Sequence, residues 1–454
     1  MTPPQDEARE APGLKIKTGS SLTGQTLHTF GTIALGTAVQ LAAGIATARA
    51  FGPAGKGVLS FAALLLTFAI TTGNGVRDAI AFQIGTQRKP PRDVWGAALT
   101  LLAFLAPIGF IVFFAVSRVV PSQPAYLFVA LAFAPAMYVQ VVGILYQLTG
   151  RIASINARNT VTIGTGYWLV TLVLVVFFHV GVAGVLWLWV ATFVLAALWD
   201  SVGLRSMLGG PAHFGDRSLI AGQIVFGSKT ALSTTVTFLA LRADVFVVSA
   251  LLPASALGIY TLAIAAAELM LTAARAIFWS TEGRIVLASH GDAAALTARV
   301  VRSVLALTVA CAALLFVVGP WLISLVYGGR FAQAGPVLRL LLPGMAAYSV
   351  DAPLSLFISV RSGRPGLLLA LETGSLLLCT LSALLGVRTI GIEGAALADT
   401  VTYLVSFSVK IAILVRLGGV PLRDVLVARP SDVPAVFRSG LRRLTRRGGA
   451  APRP

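Results

Sequence analysis

Apolar residues run through this chain in blocks, each about as long as a helix that crosses a bilayer, for which about 20 residues suffice. Twelve such runs are present, near 25–50, 57–84, 93–117, 125–148, 157–178, 182–204, 218–240, 257–280, 303–326, 335–360, 365–387 and 393–415. Short polar or Gly/Pro-rich stretches divide them, among them "FGPAGKG", "QRKPPRD", "PSQP", "LGGPAHFGD", "YGGRF", "RSGRPG" and "TIGIEG". The pattern predicts an all-α polytopic membrane protein of about twelve transmembrane helices, with connections too short for a soluble domain.

Composition supports this. The 454 residues are 57% hydrophobic and 11% charged, against about 25% charged in soluble domains. Mean hydropathy is +0.87. The formal net charge of +18 does not point to nucleic acid, because its placement follows the loops. With the N-terminus inside, cytoplasmic loops hold Arg88, Lys89, Arg92, Arg151, Arg158, Arg205, Arg217, Arg284, Arg299, Arg302, Arg361 and Arg364. The outer loops hold only Arg49, Lys56, Arg118, Arg330 and Arg388. That bias satisfies the positive-inside rule with both termini cytoplasmic. "ATA" at 46–48 looks like a signal-peptide cleavage site, but the apolar run starts late and follows acidic residues, so the first helix is expected to be retained. Two cysteines, Cys311 and Cys379, and four isolated histidines supply neither a disulfide framework nor a metal spacing.

The second half repeats the first. "FGPAGKGVLSFAALL" at 51 aligns with "LLPASALGIYTLAIAA" at 251, "LTGRIASIN" at 148 with "RSGRPGLLL" at 361, and "GVAGVLWLWVATFV" at 181 with "GIEGAALADTVTYL" at 391. The three weak matches keep one order, about 200 to 213 residues apart. Six helices per half is even, so the repeat is parallel. The expected organisation is a cytoplasmic segment 1–24, an N-lobe 25–205, a loop 206–217, a C-lobe 218–417 and a basic cytoplasmic tail 418–454. Two lobes with a cleft between them suit alternating access.

"ATARAFGPAGKGVLSFAALLLTFAITTGNGVRDAIAF" resembles the opening helices of bacterial polysaccharide flippases of the multidrug/oligosaccharidyl-lipid/polysaccharide (MOP) exporter superfamily. Arg49, Gly52, Pro53, Gly57 and Ser60 fit the pattern of a basic helix end, a Gly-Pro turn, and then glycine and serine. "LRADVFVVSALLPASALGIYTLAIA", with Asp244, Gly258 and Tyr260, is similar to the passage between the seventh and eighth helices, and "GIEGAALADTVTYL" to the start of the twelfth. "GKGVLS" departs from the family by lacking an aromatic after the second glycine. The likeness spans residues 25 to about 417. It implies a MATE-like fold that moves a polyprenyl-pyrophosphate-linked oligosaccharide from the inner to the outer leaflet for surface-polysaccharide synthesis. Twelve helices suit repeat-unit flippases better than fourteen-helix lipid II flippases.

A charge at mid-bilayer costs about 2.5–3.5 kcal/mol on insertion scales, so each one needs a partner or water. Arg77 and Asp78 fall near the cytoplasmic edge of the second run, either as a cationic mouth or as a self-neutralised, snorkelling pair. Lys229 falls near mid-helix, with Ser233 and Thr237 on the same face. The alternatives are a cavity wall, helix packing, or a salt bridge from Lys229 to Glu268. Arg275 shares a face with Glu268. Arg77, Asp78, Lys229, Ser233, Thr237 and Arg275 are the candidate substrate contacts, since arginine grips phosphate oxygens in parallel bonds and lysine acts as a point charge. Glu268, Asp351 and Glu372 are the candidate ion-coupling acids. Arg242 and Asp244 are expected at the outer interface, closing the seventh helix, and Arg339 nearby.

There is no Walker A, Gly-x-Ser-x-Gly or HExxH motif. No enzyme chemistry or cofactor is expected, and energy is left to a coupling proton or sodium ion or to downstream use of the product. The arginine-rich tail suits anionic lipids, with a glycosyltransferase or polymerase of the pathway as a further candidate partner. Two other functions fit the composition: an ion-coupled small-molecule (multidrug) antiporter of the same superfamily, and a non-transporting membrane scaffold.

Overall fold

The structure is a computed structural model that describes residues 22–120, 123–208, 210, 213 and 216–427. The predicted segment 1–24 lies almost entirely outside the described residues, as do most of the basic tail and part of the 206–217 loop. Among the described residues the fold is all-helical, without strands, and eleven helices are long and apolar enough to cross a membrane. The chain is a multi-pass membrane protein.

The helices are α1 (Leu22–Gly85), α2 (Pro91–Val119), α3 (Ala125–Leu148), α4 (Ile152–Val161), α5 (Thr165–Phe177), α6 (Val182–Leu208), α7 (Arg217–Leu251), α8 (Ala254–Leu287), α9 (His290–Tyr327), α10 (Ala334–Tyr348), α11 (Asp351–Leu356), α12 (Pro365–Ile390), α13 (Ile392–Gly418) and α14 (Leu422–Leu426). Eleven spans accommodate twelve predicted runs because α1 contains the first two. They meet at Gly52, whose φ of 66° and ψ of −171° are open to glycine and costly for other residues. Pro53 then begins the second arm, where its missing N–H costs nothing. The predicted fifth run is broken between α4 and α5. The tenth divides into α10, α11 and a π-helical turn at Phe357–Arg361.

Two compact units are present. One comprises residues 1–239 with 253–258, the other 240–252 with 259–454. The division falls inside α7, whose first two-thirds pack on the N-terminal helices. Gly75 and Gly227 lie so close that a Cβ on Gly75 would sit 2.2 Å from the Gly227 carbonyl oxygen. The buried Gln223 side chain donates to Gln83 Oε1 at 3.0 Å and to the Val94 carbonyl at 2.9 Å, while Gln83 donates to the Leu219 carbonyl at 3.0 Å. Phe82 stacks on Phe226. The core of this unit gathers Ile80, Ile84, Trp95, Met137, Leu145 and Tyr146 around the buried α3. The other unit is built on Val300, Val301, Val304, Leu354, Phe357, Ile358, Ile411 and Leu414. Phe104, Ile111, Val317, Trp321 and Leu385 are exposed, as lipid-facing positions are.

Asp216 caps α7. Its Oδ1 accepts from the Ser218 hydroxyl at 2.7 Å and from the backbone N–H groups of Ser218 and Leu219 at 2.9 and 3.2 Å. The Ser218 hydroxyl, with those amides, holds the carboxyl below its ordinary range. A depressed folded-state value means the cap is at full strength above the unfolded value of about 3.9 and is lost as pH falls through the lower folded value.

Gly75→Leu forces α1 and α7 apart. It should destabilise the solubilised protein by at least about 1–3 kcal/mol. Gly73→Ala, whose nearest neighbour would be an ordinary 3.4 Å from the added methyl, should leave the melting temperature nearly unchanged. Equal melting curves for both variants would contradict the close contact.

Candidate functional site

Polar side chains collect at two places in the second unit. The first lies where the end of α7, the start of α8, α12 and α13 bring together Asp244, Tyr260, Cys379 and Asp399. All four are buried, with Tyr260 at 0% exposure. The Tyr260 hydroxyl lies 2.5 Å from Asp244 Oδ2 and 3.2 Å from Asp399 Oδ2, and the Cys379 thiol donates to Asp399 Oδ1 at 3.4 Å. One oxygen each from Asp244 and Asp399, with the Cys379 sulfur, lie within 4.8 Å of one another. Asp244 Oδ1 is buried without a hydrogen-bond partner, and among the described residues neither acid is in an ion pair. Two ionised carboxylates this close repel, and a proton or cation between them removes the repulsion.

Helix α7 continues to Leu251, so it runs on past Arg242 and Asp244 and does not close at them. Arg242 bonds Glu268 at 2.6 Å, so the partner of Glu268 is Arg242 and not Lys229. Arg339 donates to the Phe316 carbonyl at 3.0 Å and stacks over that ring.

The second cluster centres on Lys410, 1% exposed, deep in α13. Its Nζ donates to Asp351 Oδ1 at 2.5 Å, Glu372 Oε1 at 2.7 Å and Ser355 Oγ at 3.1 Å. Two carboxyl groups thus share one ammonium. The break between α10 and α11 delivers Asp351: a continuous helix would carry it to another face. Arg275 is exposed beside a cavity of about 80 Å³ that Leu271, Ala274, Tyr348, Ser349 and Asp351 also line. The structure thus brings Asp351 and Glu372 together and keeps Glu268 apart from them, on Arg242.

In the first unit Arg77 and Asp78 are half-buried. Arg77 donates to Gln147 Oε1 at 3.2 Å and lies 3.8 Å from Asp78. Lys229, Ser233 and Thr237 are all exposed along one stripe of α7. Sequence reading missed Lys410, and left Asp399 and Asp244 outside the site. The available signal was a lysine inside an apolar run, eleven residues after an aspartate on the same helix.

No protein-family model matches the chain, and no curated protein matches it. Solved structures do. An inward-facing multidrug resistance MATE family transporter of the MOP superfamily aligns with a TM-score of 0.63 at 16% identity, over 90% of this chain and 98% of its own. A MATE in complex with MaD3S aligns at 0.57 and 16%, over 86% and 94%. A MOP superfamily transporter from Pyrococcus furiosus, described as having a binding pocket of reversed polarity that suggests a different function, aligns at 0.54 and 14%, over 87% and 95%. The fold is that of MOP-superfamily transporters. At these identities the likeness carries the MOP architecture, not a substrate.

Removing Lys410 leaves two carboxylates facing each other in a low-dielectric site. Lys410→Met should cost about 3–5 kcal/mol and deplete the protein. Adding Asp351→Asn and Glu372→Gln should restore abundance, measured by quantitative immunoblot and thermal unfolding. Full abundance of the single variant would refute the triad.

Proposed function

We propose that the chain exports a polyprenyl-pyrophosphate-linked oligosaccharide across a bacterial cytoplasmic membrane by alternating access, for surface-polysaccharide assembly. One observation carries this reading: Lys229 is exposed about 18 Å along α7 at 1.5 Å per residue, within an apolar span. An ammonium facing lipid chains at that depth is costly, so it belongs on a watery path. Ser233 and Thr237 continue the path with hydroxyls. Half-buried Arg77 adds a guanidinium suited to phosphate, and Asp78 and Gln147 hold it. Arg275, in the other unit, is kept as a separate candidate contact for an anion. The resemblance of the opening helices to polysaccharide flippases supports the same substrate class.

Coupling is assigned to a proton or sodium ion at Asp244 and Asp399. Glu268 already has Arg242, and Asp351 and Glu372 share Lys410, whereas among the described residues neither Asp244 nor Asp399 is in an ion pair. The orientation has both termini inside, with the basic tail meeting anionic lipids. A glycosyltransferase or polymerase would act on either side of the export step. No catalysis is assigned to the chain.

The second reading, export of a small-molecule drug, draws on the solved neighbours of the same fold, which include multidrug transporters. It differs in what Lys229 does. A cationic wall repels the lipophilic cations that many drugs are, and attracts pyrophosphate.

A charge-assisted contact contributes about 1.5–3 kcal/mol. Lys229→Ala should therefore slow flipping of a fluorescent polyprenyl-pyrophosphate oligosaccharide in proteoliposomes tenfold or more. Lys229→Arg should retain most of the rate, and abundance should not change, since Glu268 keeps its Arg242 partner. Unchanged flipping in Lys229→Ala, or efflux of lipophilic cations in place of flipping, would refute the oligosaccharide reading.

The coupling assignment is tested separately. Asp399→Asn and Asp244→Asn should abolish the response of flipping to an imposed pH or sodium gradient. Glu372→Gln should keep that response. A gradient response surviving in both aspartate variants would remove the assignment.

A further inference from the structure

A cavity of about 250 Å³ in the first unit is absorbed by none of these roles. It opens where the fifth span breaks. α4 ends at Val161, Thr162 sits at φ −103° and ψ −94°, and Gly164 at φ −101° and ψ −116° precedes α5. Irregular backbone at membrane depth is tolerated only where it is buried in protein or lines a water-filled cavity. No side chain caps the start of α5. Interrupted helices of this kind often form substrate sites in transporters.

The lining is neutral and rich in hydrogen-bonding groups. Gln40 comes from α1, Asn156, Asn159 and Thr160 from α4, and Thr165 and Trp168 from α5. No lining residue carries a charge. A phosphate would find no cation there, and a lipophilic cation no acid. Carboxamides offer a donor and an acceptor side by side, and threonine hydroxyls offer both at one atom. The indole of Trp168 adds an apolar face. That combination matches a pyranose, which presents adjacent hydroxyls at its edge and C–H groups on its face. The volume is about that of eight water molecules at roughly 30 Å³ each, below the ~300–1,000 Å³ typical of pockets for drug-sized ligands.

One of the amides is held from behind. Arg158, 3% exposed, sends Nε and Nη2 to Asn159 Oδ1 at 3.1 and 2.9 Å. Two guanidinium donors demand an acceptor, so the Asn159 carbonyl faces Arg158 and its NH₂ is left to donate elsewhere. Arg158 is itself fixed by an ion pair with Asp200, which is 0% exposed, and stacks on the Tyr146 ring. A buried ion pair is an expensive way to stabilise a bundle, since apolar residues of like volume often do as well. It is a good way to set the direction of one amide.

We propose that the cavity formed by Gln40, Asn156, Asn159, Thr160, Thr165 and Trp168 binds one sugar ring of the transported oligosaccharide, with Asn159 oriented by the Arg158–Asp200 pair. The inference rests on the export reading and adds to it. The anionic headgroup is read by Lys229 and Arg77, and a neutral sugar is read at the broken fifth span.

The test uses the full chain in nanodiscs and saturation-transfer NMR with the methyl glycosides of glucose, galactose, mannose, rhamnose and N-acetylglucosamine. Tetraphenylphosphonium serves as the lipophilic cation. At least one glycoside should bind saturably and tetraphenylphosphonium should not displace it. Trp168→Ala and Asn159→Ala should each weaken binding tenfold or more. Trp168→Phe, which keeps an aromatic face, should stay within about threefold. Melting curves must match the parent chain. Absence of saturable binding for all five glycosides to folded protein would overturn the sugar site, as would binding unchanged in both alanine variants. The flipping assay separates the two readings. Glycoside binding without flipping would sink export and leave the site; flipping with full rate in both alanine variants would sink the site and leave export.

Discussion

Hydrocarbon cannot hydrate a charge or a peptide group, and the arrangement of this protein follows from that. Most of the buried ionisable side chains described above are matched by one of opposite charge. Arg158 has Asp200, Arg242 has Glu268, and Lys410 has Asp351 and Glu372. Irregular backbone obeys the same constraint. The gap between α4 and α5 borders a polar cavity, and the gap between α10 and α11 places Asp351 on Lys410. Among the described residues, the buried Asp244–Asp399 pair and the exposed Lys229 have no ion-pair partner.

The helical class, the number of runs and the break at the Gly-Pro corner were legible in the sequence, because bilayer thickness imposes a length that composition alone reveals. The corner itself was read as a loop dividing two helices. In the structure it is a single glycine in a left-handed conformation between continuous arms. The seventh helix runs past the Arg242–Asp244 stretch where its end was expected, and the partners of those two residues were not readable from the sequence. Those partners, Glu268 and Tyr260, lie on the next helix, and Asp399 is 155 residues from Asp244. No local pattern reports a contact of that separation. The same limit hid Lys410, whose partners sit 59 and 38 residues away. Lone acids on helices ten and eleven could be recognised as costly; that one lysine answered both could not.

Division of labour between the units emerges from the charges each contains. The first unit holds the exposed Lys229 stripe and a neutral amide-lined cavity; the second holds the acid pair and the lysine triad. α7 contributes to both: Lys229 lies in its first part and Asp244 in its last.

The position of α13 has a consequence for biosynthesis. Among the described residues it is the last helix long and apolar enough to span a membrane, and it carries both Asp399 and Lys410. Asp244, Asp351 and Glu372 are therefore all synthesised before the residue that completes their cluster. During insertion they enter the membrane as unmatched groups, and each must be sheltered by the insertion machinery or kept near its aqueous edge. The C-terminal half can settle as a unit only when its final helix arrives. A ribosome that stalls before that helix leaves a nascent chain with three acids stranded in or beside lipid, a defect that cellular quality control can detect without inspecting the fold.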